Sequence, residues 1–322
     1  MKNFIWILCA LAFIGVFCAG CSGALAAERY AESERYTAGN FTYSAAAVRK
    51  IDLHWVNGRV DVLRGGADTL SVSESGDSLT DAQKLHWLLD GDTLYIQFCQ
   101  SGYKGTIPDA SKHLTLEIPE GIELEVKTVS APVQLEEHAL EHAEIETASG
   151  AISIDSLAAE EIEISSVSGS VLCGAMSAGD EIELDTTSGK ISAEQLTANE
   201  IKISSVSGSV SCGELNARDE IDVTSTSGKI MVDSLRAQEA ELNSVRGSVT
   251  AALAECGKMD VGTTSGAVRL TLLDGLGASI RFRSTSGSLH ADHYDVSGEN
   301  LVFGDGACRV RVDTTSGSLT VE

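Results

Sequence analysis

Pairs of serine and glycine recur at an almost constant interval through the C-terminal two-thirds of this 322-residue chain. Successive marker glycines lie 19 to 21 residues apart. From Val167 to Thr264 the residue two positions before the glycine alternates between valine and threonine, which defines a 39-residue double unit. A repeat of this length cannot bury its own apolar face, so the interval predicts a stacked repeat protein. The marker glycines are Gly150, Gly169, Gly189, Gly208, Gly228, Gly247, Gly266 and Gly287.

Apolar residues alternate with polar residues on both sides of each marker glycine. Ile152 and Ile154 follow Gly150 by two and four residues, and similar pairs stand seven and five residues before most marker glycines. A period of two predicts strands with one inward face. A further apolar residue such as Leu196, seven positions after a glycine, would fill the corner between two strands. We therefore predict an all-β fold: a parallel, right-handed β-solenoid (β-helix) of 19–20-residue, two-strand coils.

The same alternating pattern continues on both sides of this array, and two insertions interrupt it. The turn dipeptide Asp90-Gly91 separates the alternating segments 85–89 and 94–98, which predicts a β-hairpin followed by a strand near 114–118. We expect this N-terminal insertion to cap the solenoid, because terminal coils need protection from edge pairing. The predicted division is a signal peptide at 1–21, a linker at 22–47, a first coil plus capping hairpin at 48–130, and solenoid repeats at 131–322 with an insertion near 292–306.

The N-terminal segment has the form of a secretion signal. Lys2 precedes an apolar run over 4–19, which is short for a membrane-spanning helix. The sequence ending at Cys21 resembles a bacterial lipobox, which implies that Cys21 carries a lipid. Cleavage after Ala26 and an uncleaved anchor are the alternatives. All three place residues 30–322 outside the cytoplasm, at the cell surface or secreted.

Net charge and composition restrict the classes of partner that the protein can bind. The chain has 47 acidic and 23 basic residues and a net charge of −24, which repels phosphate backbones and anionic lipids. We therefore exclude nucleic acid as a partner and expect membrane contact only through an N-terminal lipid anchor. The 3 prolines and 5% aromatic residues suit a solenoid core of small aliphatic side chains.

The cysteines do not indicate a disulfide framework. Five follow Cys21, an odd number if Cys21 is acylated. Cys173 and Cys212 occupy the same inward position two coils apart, which separates them by about 9.6 Å, too far for a disulfide. We interpret these two as small buried apolar residues.

Acidic residues form two outward columns, eight and six residues before successive glycines. Like charges stacked at strand spacing repel, so a row of Ca²⁺ ions is one interpretation and a solvated acidic face is the other. We predict no cofactor and no metal site. The columns are Glu161, Glu181, Glu200, Glu220 and Glu239, and Glu144, Glu163, Glu183, Lys202, Asp222, Glu241 and Asp260.

Two histidine clusters suggest metal binding only weakly. His138 and His142 would share one helical turn, but the repeat places a loop there, and we expect an exposed polar loop. In His290-Ala291-Asp292-His293, alternation turns His290 outward beside the second insertion.

An enzyme of the β-helix type would need two carboxyls about 5 to 9.5 Å apart, one of them in a pocket that raises its pKa. An acidic solenoid offers such pairs by chance, and no sequence feature marks one as desolvated. The few aromatic residues stand mostly in the N-terminal half, where we expect them to pack the cap. We predict no catalytic residues.

Three segments and the recurrent Thr/Val-Ser-Gly coils carry a family resemblance: 51–62 (IDLHWVNGRVDV), 89–96 (LDGDTLYI) and 116–121 (LEIPEG). From about residue 45 to 322 the chain resembles a bacterial family of proposed adhesins, domain of unknown function 4097, which is related to toast-rack domains. The resemblance implies a surface-exposed β-solenoid and carries no catalytic motif.

These observations predict a non-enzymatic, extracytoplasmic cell-envelope protein whose adhesin-like solenoid offers a surface for binding or scaffolding. The expected partner is a cell-surface protein or polysaccharide. One alternative is an envelope-stress sensing or signalling accessory of the toast-rack type, and a further alternative is a β-helix carbohydrate-active enzyme. The ligand, the oligomeric state and the choice between lipidation at Cys21 and cleavage after Ala26 stay open.

Overall fold

The computed structural model describes residues 30–76, 78–106, 111–291 and 300–322. The fold is all-β and built on parallel strands that stack in register, as predicted. The chain forms two compact units. Unit 1 contains Met1–Leu157 and Ile164–Gly169, and unit 2 contains Ala158–Glu163 and Ser170–Glu322. The predicted signal peptide, with Cys21, lies outside the described residues.

Thirteen strands begin in unit 1, and the last of them, β13, contributes residues to both units. Single 3-10 turns occur at Ser33–Arg35 and Ala45–Ala47. The strands are β1 (Thr37–Ala38), β2 (Phe41–Ser44), β3 (Lys50–Trp55), β4 (Arg59–Arg64), β5 (Thr69–Ser75), β6 (His86–Asp90), β7 (Thr93–Gln97), β8 (His113–Ile118), β9 (Glu123–Thr128), β10 (Val133–Leu135), β11 (His138–Ala139), β12 (His142–Thr147) and β13 (Ile152–Ser166).

The coils of unit 1 do not stack in chain order. β3 lies between β7 and β9, and β4 lies between β8 and β10, all in parallel. The order of coils is therefore β7/β8, β3/β4, β9/β10 and β12/β13. The first coil of the sequence is the second coil of the stack, because the N-terminal insertion supplies the terminal coil.

Antiparallel strands cover the end of this stack, which confirms the predicted cap. β6 and β7 form the expected hairpin, and Gly91 has a φ of 64° in its turn. β5 pairs with β8 on the other half of the coil. β1 and β2 pair with β6 and β5, so residues 37–44, which fall in the predicted linker, belong to the cap.

A buried lysine organises the interior of the cap. The Lys112 side chain is fully buried, and its Nζ lies 2.9 Å from Glu74 Oε2 and donates to the backbone oxygens of Gln83 and Phe98. The same ammonium lies 4.8 Å from the ring centre of Trp55 and 4.2 Å from that of Phe98. Burial lowers the pKa of Lys112, and the Glu74 carboxylate opposes that shift. The expectation that aromatic residues pack the cap is therefore met by these two rings.

Unit 2 contains long strands in its middle coils and shorter ones toward the C-terminus. They are β14 (Val171–Thr186), β15 (Ile191–Ser205), β16 (Val210–Ser225), β17 (Ile230–Ser244), β18 (Val249–Thr263), β19 (Val268–Leu272), β20 (Ala278–Ser284), β21 (Leu289–Ala291), β22 (Asn300–Phe303), β23 (Cys308–Thr314) and β24 (Leu319–Val321).

In the middle coils the two predicted strands of each repeat merge into one strand of 15 or 16 residues. The corner residue Leu196 is fully buried, as expected, but it stays paired with Leu215 in the ladder. Parallel hydrogen bonds join one coil to the next, so a bend along the chain need not interrupt them.

A local bulge explains the alternation between 19- and 20-residue intervals. The register between β15 and β16 shifts after Ala198 and Ala217, where Arg218 and Asp219 face a single residue of β15. A shift of the same kind occurs in β14 before Glu181. The 20-residue coils thus accommodate their extra residue at this corner, and both inward faces keep their alignment.

The last coil of the sequence is not the last coil of the stack. β23 lies between β18 and β20, and β24 lies between β19 and β21, all in parallel. The final coil is therefore inserted between two earlier ones. β22 pairs antiparallel with β20 and covers part of the end of unit 2. Residues 292–299 of the second predicted insertion lie outside the described residues.

The marker glycines stack directly on one another. A Cβ placed on Gly208 would lie 1.7 Å from the carbonyl oxygen of Gly189, and one on Gly228 would lie 1.8 Å from that of Gly208. Their φ angles are not positive. Glycine is needed here because the backbones of successive coils approach too closely for any side chain.

A hydroxyl closes most of these turns. Three residues before the glycine stands a serine or threonine whose oxygen accepts a hydrogen bond from the glycine N–H, at 2.9 Å from Thr186 to Gly189 and from Ser225 to Gly228. At Gly208 the Ser205 hydroxyl instead donates to the glycine carbonyl oxygen, at 2.9 Å. These hydroxyls lie on the inward face, where an unpaired amide would be costly. The rest of that face is aliphatic: on β15 it consists of Ile191, Ala193, Leu196, Ala198, Ile201 and Ile203, each at most 7% exposed.

Gly208→Ala is expected to destabilise the protein by at least about 2–3 kcal/mol, because its methyl group would overlap the Gly189 carbonyl and push two coils apart. Gly66→Ala is the matched control, since the nearest atom to its Cβ is Thr69 Oγ1 at 3.6 Å. Urea unfolding measures both. Equal midpoints for the two variants would contradict the close-stacking account.

Candidate functional site

A shallow groove of about 990 Å³ runs along the bulged corner of unit 2. It crosses β15 to β18 and reaches Ala307 and Arg309 at the start of β23. The bulge at Arg218 and Asp219 projects into one side of it. The groove owes its position to the corner, where the extra residue of the 20-residue coil disturbs the otherwise even surface.

Both signs of charge line this groove, and most of its cations are paired. Lys258 Nζ contacts Glu239 and lies 2.9 Å from Asp260 Oδ2. Arg236 lies 3.9 Å from carboxylate oxygens of both Glu214 and Glu255. These pairs are exposed, and such pairs contribute little to stability. They leave the groove polar and wet rather than apolar.

The predicted acidic columns are present in register along unit 2. Glu181 pairs with Glu200, Glu200 with Glu220, and Glu220 with Glu239 in neighbouring strands. Lys202 interrupts the second column, and its Nζ lies 2.5 Å from Glu181 and 3.2 Å from Glu200. A lysine therefore relieves part of the repulsion between stacked carboxylates.

One pair of carboxyl groups on this face has raised pKa values. Glu183 and Asp185 stand two residues apart on the same side of β14 and hydrogen-bond to each other. Burial, with the nearby charge of Asp185, raises the pKa of Glu183 to about 7. Burial also raises the pKa of Asp185. Glu183 therefore keeps its proton to a higher pH than an exposed glutamate does.

Four arginines form a basic patch that the sequence analysis did not identify. We call Arg281, Arg283, Arg309 and Arg311 the arginine patch. They occupy alternate, exposed positions on β20 and β23. Arg281 lies directly opposite Arg311 in the parallel register. The repeat alignment contained a signal for it, since Arg281, Arg309 and Arg311 continue the acidic columns with the opposite sign of charge.

Counter-charges within the arginine patch are few. Arg311 Nε lies 2.6 Å from Asp313 Oδ2, and Asp313 is also the register partner of Arg283. Among the described residues, Arg281 and Arg309 have no ion pair within 4.0 Å. The six outward positions of β20 and β23 hold these four arginines, Asp313 and Ser279, which gives the surface a net positive charge. The exposed side chain of Val302 lies beside it, opposite Ser279 on β22.

The histidines do not come together as a helical pair. His138 and His142 belong to the strands β11 and β12, so the helical turn considered from the sequence does not form. His138 is buried rather than exposed, and its Nε2 lies 3.2 Å from the Ile118 carbonyl oxygen. Burial lowers its pKa. His290 is exposed on β21, as predicted, and His293 lies outside the described residues.

No group of three or more histidine, cysteine or acidic residues within the described ranges is arranged to hold a metal ion. The inward cysteines Cys173 and Cys212 are buried and separated in the ladder by Ala193, as the sequence predicted. In the part of the chain that the structure describes, no helix has the length and apolar character that crossing a bilayer requires.

Glu183→Gln is expected to remove a pH dependence of stability. The folded chain holds the Glu183 proton more tightly than the unfolded chain does, so stability falls as pH rises from about 4.5 through about 7. After allowance for solvent screening, we expect a gain of about 1 kcal/mol at pH 8, a rise in Tm of about 2–4 °C, and little change at pH 4.5. Thermal melts across this pH range, with the exposed Glu194→Gln as control, measure the effect. An equal gain at both pH values would refute it.

Comparison with known structures finds relatives over most of the chain. A candidate adhesin from Parabacteroides distasonis is 15% identical, with a TM-score of 0.43, over 88% of this chain and 96% of that one. A candidate adhesin from Parabacteroides merdae is 11% identical, with a TM-score of 0.43, over 89% of this chain and 96% of that one. One from Bacteroides fragilis is 11% identical, with a TM-score of 0.35, over 90% and 98%.

No curated protein matches the chain. The family model for Toastrack DUF4097 matches it twice, over residues 48–178 and 174–322. These two matches together extend from the first coil of the sequence to the C-terminus and include every described strand from β3 to β24. The chain belongs to the Toastrack DUF4097 family.

Proposed function

We propose that this protein is a non-enzymatic, extracytoplasmic component of the cell envelope that binds an anionic polysaccharide through the arginine patch. The observation that carries the proposal is the in-register pair Arg281 and Arg311. Like charges directly opposite on neighbouring strands are destabilising. A bound anion placed between the two guanidinium groups would remove that repulsion.

The overall charge of −24 does not prevent such binding. Charges at the surface are screened beyond about 8 Å at physiological ionic strength, so a ligand at the patch responds mainly to nearby groups. Planar guanidinium groups bind carboxylate, sulfate and phosphate through paired hydrogen bonds. Neighbouring strands lie about 4.8 Å apart, which lets a chain of charged sugars contact several arginines at once.

The groove extends this surface toward the bulged corner. Arg309 belongs both to the arginine patch and to the lining of the groove. The polar walls next to it, including Lys258 and Gln238, offer donors to sugar hydroxyls. An extended ligand could therefore continue from the patch into the groove.

The carboxyl pair of Glu183 and Asp185 is the strongest feature in favour of the enzyme alternative. The two groups hydrogen-bond directly, whereas glycoside hydrolysis needs carboxyls at least about 5 Å apart, with the scissile bond between them. Neither residue lines the groove. Burial accounts for the raised pKa of both groups, and the charge of Asp185 adds to the shift of Glu183, so we assign them no catalytic role.

The family match favours one further candidate function, that of an envelope-stress sensing or signalling accessory, since the family carries the toast-rack name. Such a role requires a membrane protein as partner. Recovery of one membrane protein in equal amount with this chain, from envelopes solubilised in detergent, would favour it over polysaccharide binding.

Binding of polygalacturonate, with neutral dextran as the uncharged control, tests the proposed ligand. We expect the intact chain to bind polygalacturonate with an affinity that falls as salt rises. The Arg281→Gln/Arg311→Gln double variant should bind at least about tenfold more weakly, because two charge-assisted contacts are lost. Arg246→Gln, an exposed arginine outside the patch, is the matched control. Equal binding by the double variant, or equal binding to dextran, would refute the proposal.

The proposed location has its own test at Cys21. In a bacterial host supplied with a labelled fatty acid, the intact chain should acquire the label and remain with the membranes, while Cys21→Ser should lose both properties. Cys173→Ser leaves Cys21 and the signal segment unchanged and serves as control. If the protein without substitutions carries no label and its mature N-terminus is Ala27, ordinary signal-peptide cleavage is indicated instead.

A further inference from the structure

Two cysteines from distant parts of the sequence meet where the last coil enters the stack of unit 2. Cys308 is the first residue of β23, and Cys256 lies in β18, the strand beside it. Both side chains are buried, with exposures of 0% and 6%. The two thiols hydrogen-bond to each other, and the Cys256 Sγ also lies 3.1 Å from the Lys258 carbonyl oxygen.

The strand register gives a separation suited to a covalent bond. The parallel pairing begins with Lys258 opposite Arg309. Cys256 therefore stands one residue diagonally from Cys308 on neighbouring strands, which corresponds to about 6 Å between Cα atoms. Disulfides have Cα separations of about 4.4–6.8 Å. By contrast, Ala193 separates Cys173 from Cys212, so that pair is too far apart.

The two thiols differ in their readiness to ionise. Their mutual hydrogen bond raises the pKa of Cys256 and lowers that of Cys308, so Cys308 is the better nucleophile of the pair. Cys256 also belongs to the lining of the groove.

We propose that Cys256 and Cys308 form a disulfide that fastens the inserted last coil to β18. The oxidant is a small-molecule disulfide such as oxidised glutathione. One protein thiolate attacks it and forms a mixed disulfide, which releases one reduced thiol. The second protein thiolate then attacks the mixed disulfide and releases the other. Two protein thiols are oxidised to one disulfide, and one reagent disulfide is reduced to two thiols.

The bond would close a segment containing β19, β20, β21 and β22. It would hold β23 between β18 and β20, where the final coil has been inserted out of sequence order. A constraint on so long a segment stabilises mainly by limiting the unfolded chain. This inference stands apart from the arginine patch, since it requires no ligand.

Peptide mapping of the intact chain after refolding in a glutathione redox buffer tests the proposal. Free thiols are alkylated under denaturing conditions, and the protein is digested without reductant. We expect one linked peptide pair containing Cys256 and Cys308, while Cys173 and Cys212 are recovered alkylated. A reductant should lower Tm by about 5–10 °C.

Cys256→Ser should lose both the linked peptide and the sensitivity of Tm to reductant, while Cys173→Ser keeps both. If Cys256→Ser does not fold, mapping of the intact chain decides the question without it. Recovery of Cys256 and Cys308 as free thiols from the oxidising buffer, or linkage of either to another cysteine, would overturn the proposal.

Discussion

The approach of glycine to glycine at the Ser-Gly turn is the constraint on which each stack of coils depends. Gly208 packs its Cα against the carbonyl of Gly189, and Gly228 repeats the contact one coil further on. In most of these turns a serine or threonine hydroxyl accepts a hydrogen bond from the glycine N–H, as Thr186 does from Gly189 and Ser225 from Gly228. Because these contacts hold the turns of successive coils directly over one another, the strands that follow pair in a common register. That register also aligns the aliphatic inward faces of successive coils.

The same register acts on the outward side chains, where it brings like charges together. Glu181, Glu200 and Glu220 stack at strand spacing, and Lys202 offsets part of their repulsion. At the C-terminal coils the sign reverses and Arg281 faces Arg311. A surface built from such columns has strong local fields despite exposed and individually weak ion pairs. Under the function proposed above, these local fields would act on an extended charged ligand.

Much of the fold was predictable because a period of two and a fixed interval leave few arrangements. The inward positions, the hairpin at Asp90-Gly91 and the corner residue Leu196 were all identified before the structure. The candidate site was less accessible to prediction. The acidic columns were aligned correctly, but the arginine patch was not predicted, although Arg281, Arg309 and Arg311 occupy the same columns. The buried state of His138 was also missed, because local polarity suggested a loop where a short strand forms.

The sequence by itself determined the repeat and the alternation of faces, since these follow from local spacing and side-chain polarity, and its motifs carried the resemblance to the family. Only the tertiary structure decided the order in which coils stack. Residues 308–321 repeat the same pattern as their neighbours, so local spacing cannot distinguish the end of the stack from a place within it. The insertion of β23 beside β18 depends on which strand edges remain open once the other coils are paired. That choice brings Cys308 to Cys256, a contact between residues far apart in the sequence.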